Sequence, residues 1–328
     1  MRHNKKDDVN DFSVLENSIF YISKNNELFI DDKKIDEGEL SFFGRYEDYQ
    51  FIFDEDNFNT NIYNVKGELI NIIKEYALRN IYVFSDGNSI IGGNDGGSVF
   101  YGIYNFSNNK LLKRYDKLGF NGIYKVLNDN LFLSQNSEKI GVFNFDNELI
   151  WECYYKDLFS KYESIGAGTT NILQVENKLY VELDKTYCLD IEKGNNESNY
   201  NYKFTNSENE FLYGLQFLSM TEFQIATLNT KSNTVNVIDI SSEFNTLKVY
   251  PDSRIVVDNG LIYFSQNMGG SIAKIGVLDP VSGKILWKYD FEKKSGMIGA
   301  LKVNGNRVYA HTQDKTLHIF EKYQNETS

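Results

Sequence analysis

Cysteine, proline, histidine and long apolar runs are all scarce in this 328-residue chain. Cys153 and Cys188 are the only cysteines, 35 residues apart and without redox or metal-ligand spacing, so two buried thiols are expected in preference to a disulfide. Pro251 and Pro280 are the only prolines. His3, His311 and His318 are the only histidines, which leaves little for proton transfer near neutral pH. No stretch approaches the roughly 18 apolar residues of a membrane span, and residues 1–10 (MRHNKKDDVN) hold no apolar segment of a signal peptide. A soluble, cytoplasmic protein is therefore expected. Positive charge is also short: 34 Lys and Arg face 46 Asp and Glu, for a net charge of −12. That balance repels phosphate backbones and anionic lipid, so neither nucleic acid nor membrane is expected as a partner. A basic protein is the partner that charge favours.

What the chain does have is aromatic and β-forming material. Aromatics make up 15% of it, with 23 Tyr and 24 Phe, ample for a buried core and far from a disordered composition. Self-similarity is the leading signal. Short apolar strands begin near Ser18, Tyr49, Ser89, Asn130, Lys178, Phe223, Leu261 and Arg307, at spacings of 31, 40, 41, 48, 45, 38 and 46 residues. Such spacing, near 40 residues, is that of four-stranded propeller blades. A polar turn and a second apolar strand follow each, as in 61–65, 99–106, 140–145, 186–191 and 234–240, and Gly and Asn supply the turns.

The expected fold is all-β: a single β-propeller of about eight four-stranded blades over residues 11–323, between an N-terminal tail (1–10) and a C-terminal tail (324–328). Radial closure shortens and protects the sheet edges that eight hairpin units would otherwise expose. The last unit lacks a fourth strand, and residues 11–22 are the expected donor. The short first spacing leaves seven blades as the alternative. Leu69, Ile70, Ile73, Tyr76 and Ala77 fit helical spacing, yet the equivalent place in other repeats reads as strand, so strand is assigned.

The segment LDPVSGKILW (278–287) with Lys288 and Tyr289 resembles the repeat of the pyrroloquinoline-quinone-type, or quinoprotein-like, β-propellers. FDNELIW (145–151) is a shortened copy, Asn64 to Gly67 keeps the turn, and Asp190 with Gly194 keeps the Asp and Gly. The resemblance implies that Asp279 and Asp146 order turns, and that Trp287 and Trp151 dock between blades. Carboxylates satisfying turn amides and large aromatics filling the wedge between blades agree with that. The family's dehydrogenases hold their quinone with an adjacent-cysteine ring and a calcium, and this chain has neither a Cys-Cys pair nor a matching ligand cluster. No cofactor and no redox activity are therefore expected.

No nucleophile elbow, phosphate loop or zinc spacing accompanies the histidines; His311 and His318 flank the final hairpin and are expected to approach across it. Asp54, Glu55 and Asp56 lack the alternating ligands of a calcium loop and read as a solvated turn. Gly92 to Gly97 enters a strand rather than a helix and reads as a tight hairpin. The candidate partner-binding residues are Asp54, Glu55, Asp56 and Asp95 on hairpin turns, with Tyr154, Tyr155, Phe159 and Tyr162 on the connection after Trp151. The expected function is non-enzymatic binding of another protein, in its most concrete form an immunity protein or inhibitor that neutralises a basic bacterial toxin. The alternative is a carbohydrate-active hydrolase or lyase with carboxylates gathered where blades converge.

Overall fold

The computed structural model describes every residue except 47, 162–169, 220, 253–254, 268–271 and 323–328. Tyr162 and the tail expected at 324–328 lie outside the described residues. The chain forms eight antiparallel four-stranded sheets, the blades of a β-propeller. They run 9–37, 40–74, 77–115, 125–154, 172–200, 206–239, 255–290 and 298–321, the last joined by Arg2–Lys6. Blade 1 has four strands of its own, which removes the seven-blade alternative. The stretch with helical spacing forms the strands Leu69–Lys74 and Ala77–Val83.

Two compact units divide the chain: residues 8–136 with 140–152, and residues 1–7 with 137–139 and 153–328. Within each unit the core is a series of seams between consecutive blades. In the N-terminal unit Phe20 and Leu28 meet Ile52 and Tyr63, Phe51 and Ile62 meet Leu78 and Phe100, and Ile90 meets Phe132 and Phe143. In the C-terminal unit Tyr180 and Cys188 meet Leu212 and Ala226, Ile225 meets Phe264 and Leu278, and Tyr263 and Val277 meet Val308 and Phe320. Second and third strands are buried along their length because both of their faces serve a seam, as in Tyr49–Asp54 and Asn59–Asn64. Strand glycines admit aromatics at the seams: a Cβ on Gly93 would stand 2.3 Å from the Phe100 ring. Both cysteines are free thiols, and burial pushes both pKa values up, Cys153 to about 11.

Trp287 sits against blade 8, its ring centroid 5.1 Å from that of Phe320, and Trp151 is buried. Asp279 orders its turn by accepting from the Val281 N–H and the Ser282 hydroxyl. Its counterpart in the shortened copy is Asn144, not Asp146. Asn144 Oδ1 accepts the N–H groups of Asp146 and Glu148, whereas Asp146 is exposed and pairs with Lys113 at 2.9 Å. Asn64, Asp190 and Asn229 end their third strands in the same way. The repeat's recurring residue is thus an Asx that closes the turn into the fourth strand.

The fourth strand of blade 8 comes from residues expected to form a tail. Arg2–Lys6 pairs antiparallel with Leu317–Glu321, while residues 11–22, the expected donors, fall in the first two strands of blade 1. RHNKK shows no strand pattern because an outermost strand needs only its backbone ladder, and this one is exposed over most of its length. His3 stacks on Phe320 at 4.5 Å, and its Nε2 lies 3.0 Å from His318 Nδ1. His311 stands opposite Leu317 instead, so the pair expected across the final hairpin is replaced by one between the chain's two ends.

Two predictions follow from this clasp. Deleting residues 1–7 removes five ladder positions and a ring stack, and each kcal/mol lost moves Tm by about 2–4 °C in a unit of this size. A fall on the order of 10 °C by calorimetry is expected. Burial, with His3 and Lys5 alongside, lowers the His318 pKa to about 4, against the opposing pull of Asp314 and Asp7. The unfolded chain then binds more protons than the native one between the ordinary histidine value and that pH. Stability is complete above about pH 6.5 and declines by on the order of 3 kcal/mol as pH falls toward 4. His318→Phe should flatten that slope in urea titrations run across the range.

Candidate functional site

Each acidic residue singled out in the sequence is engaged by groups of its own blade. Asp54 accepts from the backbone and side-chain N–H groups of Asn57, Glu55 from the Ser41 hydroxyl, and Asp56 from the Glu39 N–H. Asp95 accepts from the Gly97 and Ser98 N–H groups and pairs with Arg114 at 2.9 Å, which together hold its pKa down to about 2. The Arg114 guanidinium in turn lies over the Phe100 ring, 4.3 Å from its centroid. The two turns are neighbours, since a Cβ on Gly96 would come within 3.8 Å of Phe58. Their charges are occupied in shaping hairpins.

The aromatic candidates belong to the other unit. Tyr154 ends the strand Leu149–Tyr154, with the Lys139 and Lys156 ammonium groups 4.9 and 5.2 Å from its ring centroid. Tyr155 is fully buried, which removes it from any exposed surface. Phe159 is half-buried after the short helix Tyr155–Leu158.

A different site emerges in the C-terminal unit. Strands alternate in direction within a blade, so turns between second and third strands and connections between blades fall at the same end. At that end the first strands of blades 5 to 8 pack side by side, and a cavity of about 930 Å³ opens. Glu182, Asp252, Asn267 and Thr205 supply its polar lining, and Ile255 and Met297 part of its apolar lining. Amide side chains fix the segments that feed the first strands. Gln216 spans Lys203, donating to its carbonyl at 2.7 Å and accepting its N–H. Asn267 spans Ile298 in the same way, at 3.1 and 2.8 Å, while also donating to Asp252 at 3.0 Å. Gln266 accepts the Tyr250 N–H. Glu182 accepts from Asn171, with Lys203 Nζ 4.0 Å away. The Thr205 hydroxyl is buried without a protein partner.

Five large apolar side chains stand exposed on the turns and connections at this end. Phe217 is 43% exposed, Leu218 59%, Tyr250 38%, Ile272 46% and Met297 57%. Phe217 and Tyr250 both pack on Phe223, at 5.7 and 6.1 Å, and Phe223 packs on Phe244 of the helix Ser241–Leu247, so the exposed rings rest on a rigid base. Sequence reasoning missed this group because its members are scattered over 80 residues of turns and connections. Among the described residues, no three His, Cys, Asp or Glu side chains come together to hold a metal.

The fold is widely shared. A crystal structure of BamB from Moraxella catarrhalis aligns over 98% of this chain and 99% of its own, with TM-score 0.58 and 13% identity. The computationally designed Ika8 protein aligns over 96% of each chain, with TM-score 0.54 and 13% identity. Sqt1 from Saccharomyces cerevisiae aligns over 98% of each, with TM-score 0.58 and 11% identity. No protein-family model and no curated protein matches the sequence. At these identities the likeness establishes the β-propeller fold and no function.

The amide clamp yields a prediction. Asn267→Ala removes three side-chain hydrogen bonds and leaves a peptide group and a carboxylate short of partners, at a cost of about 2–4 kcal/mol. Urea denaturation should register the loss as a lower midpoint with unchanged slope.

Proposed function

We propose that this chain is a non-enzymatic protein-binding propeller that engages its partner through the loop end of blades 6 to 8. The carrying observation is the five exposed apolar side chains on the turns and connections at this end, of which Met297 also lines the cavity. Aromatics and Met on a preorganised base have the character of interface anchors, since they offer large contact area at small ordering cost. Glu182 and Asp252 in the cavity, and the net charge of −12, favour a partner that presents a Lys or Arg flanked by apolar residues. Inhibition of a basic toxin is the concrete form of this reading, and it rests on charge alone.

The carbohydrate-enzyme alternative draws on the same two carboxylates. Glycoside chemistry requires one of a pair to deliver a proton. Asp252 accepts from both Ser265 and Asn267, and Glu182 accepts from Asn171 beside Lys203, so each is held as an acceptor within its own blade framework. That arrangement favours recognition over catalysis.

Affinity capture on the immobilised chain tests the proposal. A stoichiometric partner should be retained by the native protein and by the D54N/E55Q/D56N variant. Phe217→Ala combined with Met297→Ala should weaken retention by about 10-fold or more, the loss typical of interface anchors. Equal retention by the double variant would remove this end from the site.

A further inference from the structure

Every blade leaves its outermost strand unpaired on one side, and this chain protects most of those edges with charge or polarity. Blade 1 ends in KKIDE, blade 3 in KLLKRY, blade 5 in NESNY, blade 7 in KILWKYD and blade 8 in RHNKK. Blade 6 turns Thr234 and Asn236 outward. Lysines and other charges of this kind keep edges from pairing with other chains. Blades 3 and 7 each expose one large apolar residue among those charges, Leu112 and Leu286, and blade 2 differs in exposing three with a single charge. Its outer strand Leu69–Lys74, LINIIK, exposes Leu69 to 47%, Ile70 to 52% and Ile72 to 37%.

Its backbone is open to pairing as well. Ile70 is a bulged residue with no register partner on the third strand, a feature shared with the fourth strands of blades 1, 3, 5 and 7 and so not what sets this edge apart. The Ile72 N–H goes to the Asn71 side chain, at 2.8 Å, rather than into the ladder, so it faces the rim. With Glu68 before it, the segment reads Glu-Leu-Ile-Asn-Ile-Ile-Lys, apolar on both sides of Asn71, with Leu69 mirrored by the buried Ile73 and opposite charges at its ends. An antiparallel pairing centred on Asn71 sets Ile70 of one copy against Ile72 of the other, and Glu68 against Lys74, each twice by the two-fold axis. Glu68 and Lys74 are both exposed, and the Glu68 carboxylate, which accepts from the Asn64 side-chain amide at 2.7 Å, has acceptor capacity left for a lysine. The outer strand of blade 4 gives the contrast. Leu149 and Ile150 are exposed there too, but the position equivalent to Asn71 is Trp151, and centring there would oppose Ile150 with Glu152 and Glu148 with Tyr154, pairings without complementary charge.

We propose that the outer strand of blade 2 is a self-association edge, on which a second copy of this chain adds the same strand antiparallel in the register centred on Asn71. The apolar side chains Ile70 and Ile72 supply burial, the rim-facing backbone supplies the ladder, and the two Glu68–Lys74 pairs fix the register. On pairing, the Asn71 amide releases the Ile72 N–H to the incoming strand. An edge contact this narrow falls in the small-interface class, so the dimer should form reversibly and with concentration. It does not depend on the loop-end surface proposed above.

Sedimentation of the full chain from low to high micromolar concentration tests it. The mass should rise from 38.0 kDa toward twice that value. Ile70→Lys should move the midpoint up by about 10-fold or more, and Glu68→Lys and Lys74→Glu should each move it in the same direction. The double variant E68K/K74E restores opposite charges and should return the midpoint close to that of the native chain. All these positions are exposed, so unchanged melting temperatures will show that the variants fold. A native chain that stays monomeric throughout overturns the proposal, as does a dimer insensitive to Ile70→Lys. A double variant no better than its parents overturns the register.

Discussion

A four-stranded sheet whose middle strands are apolar on both faces cannot be stable alone, and nearly everything else in this structure follows from that constraint. Each blade covers its faces only against its neighbours, as where Ile225 of blade 6 meets Phe264 and Leu278 of blade 7. The seam is therefore the unit of the core, and the strands are spent on it. The same constraint bears hardest on the last blade, which is one strand short in sequence order. Arg2–Lys6 supplies that strand, and with it comes the contact of His3 with His318 and Phe320. A buried imidazole at this closure is the source of the acid sensitivity expected of folding.

Because the seams consume the strands, contact with other molecules is left to two kinds of surface, loop ends and rims. At the loop ends the abundant polar side chains mostly serve the fold. Asn64, Asn144, Asp190, Asn229 and Asp279 close turns, and Gln216 and Asn267 each grip both the N–H and the C=O of a loop peptide. The acidic run at Asp54 to Asp56 belongs with them. In the C-terminal unit, the end that holds the turns between second and third strands and the inter-blade connections also carries exposed apolar side chains: Phe217, Leu218, Tyr250, Ile272 and Met297. Under the proposed reading, the chain's negative charge would act on approach and these apolar side chains on the contact itself.

The fold was largely legible in the sequence, because second strands buried on both faces read as apolar runs at near-regular spacing. The turn residues were legible where a full copy existed, as at Asp279. They were misplaced where the turn was one residue shorter, and Asp146 was chosen over Asn144. The clasp was not legible, since an outermost strand carries no apolar signature and RHNKK looks like a tail. The exposed apolar group of the C-terminal unit was not read from the sequence, for a related reason. Dense charge and clustered aromatics stand out in a linear scan, yet Asp95 is neutralised by Arg114 from the adjoining fourth strand and Tyr155 is core. The exposed apolar group is contributed by separate turns and connections whose shared end only the strand order reveals.

The rim is the intermediate case. LINIIK is visible in the sequence as an apolar stretch, and a linear reading gives it two equally good explanations, helix face or buried strand. Only its place as a fourth strand turns the same residues into an exposed edge, and only a comparison with the other fourth strands gives that exposure meaning. Seen alone, Ile70 is one exposed isoleucine among many apolar surface atoms, which is ordinary. Beside KKIDE, NESNY and RHNKK it marks the edge where the protection used elsewhere was left out, and where the opposite charges at Glu68 and Lys74 attract a second copy instead of repelling it.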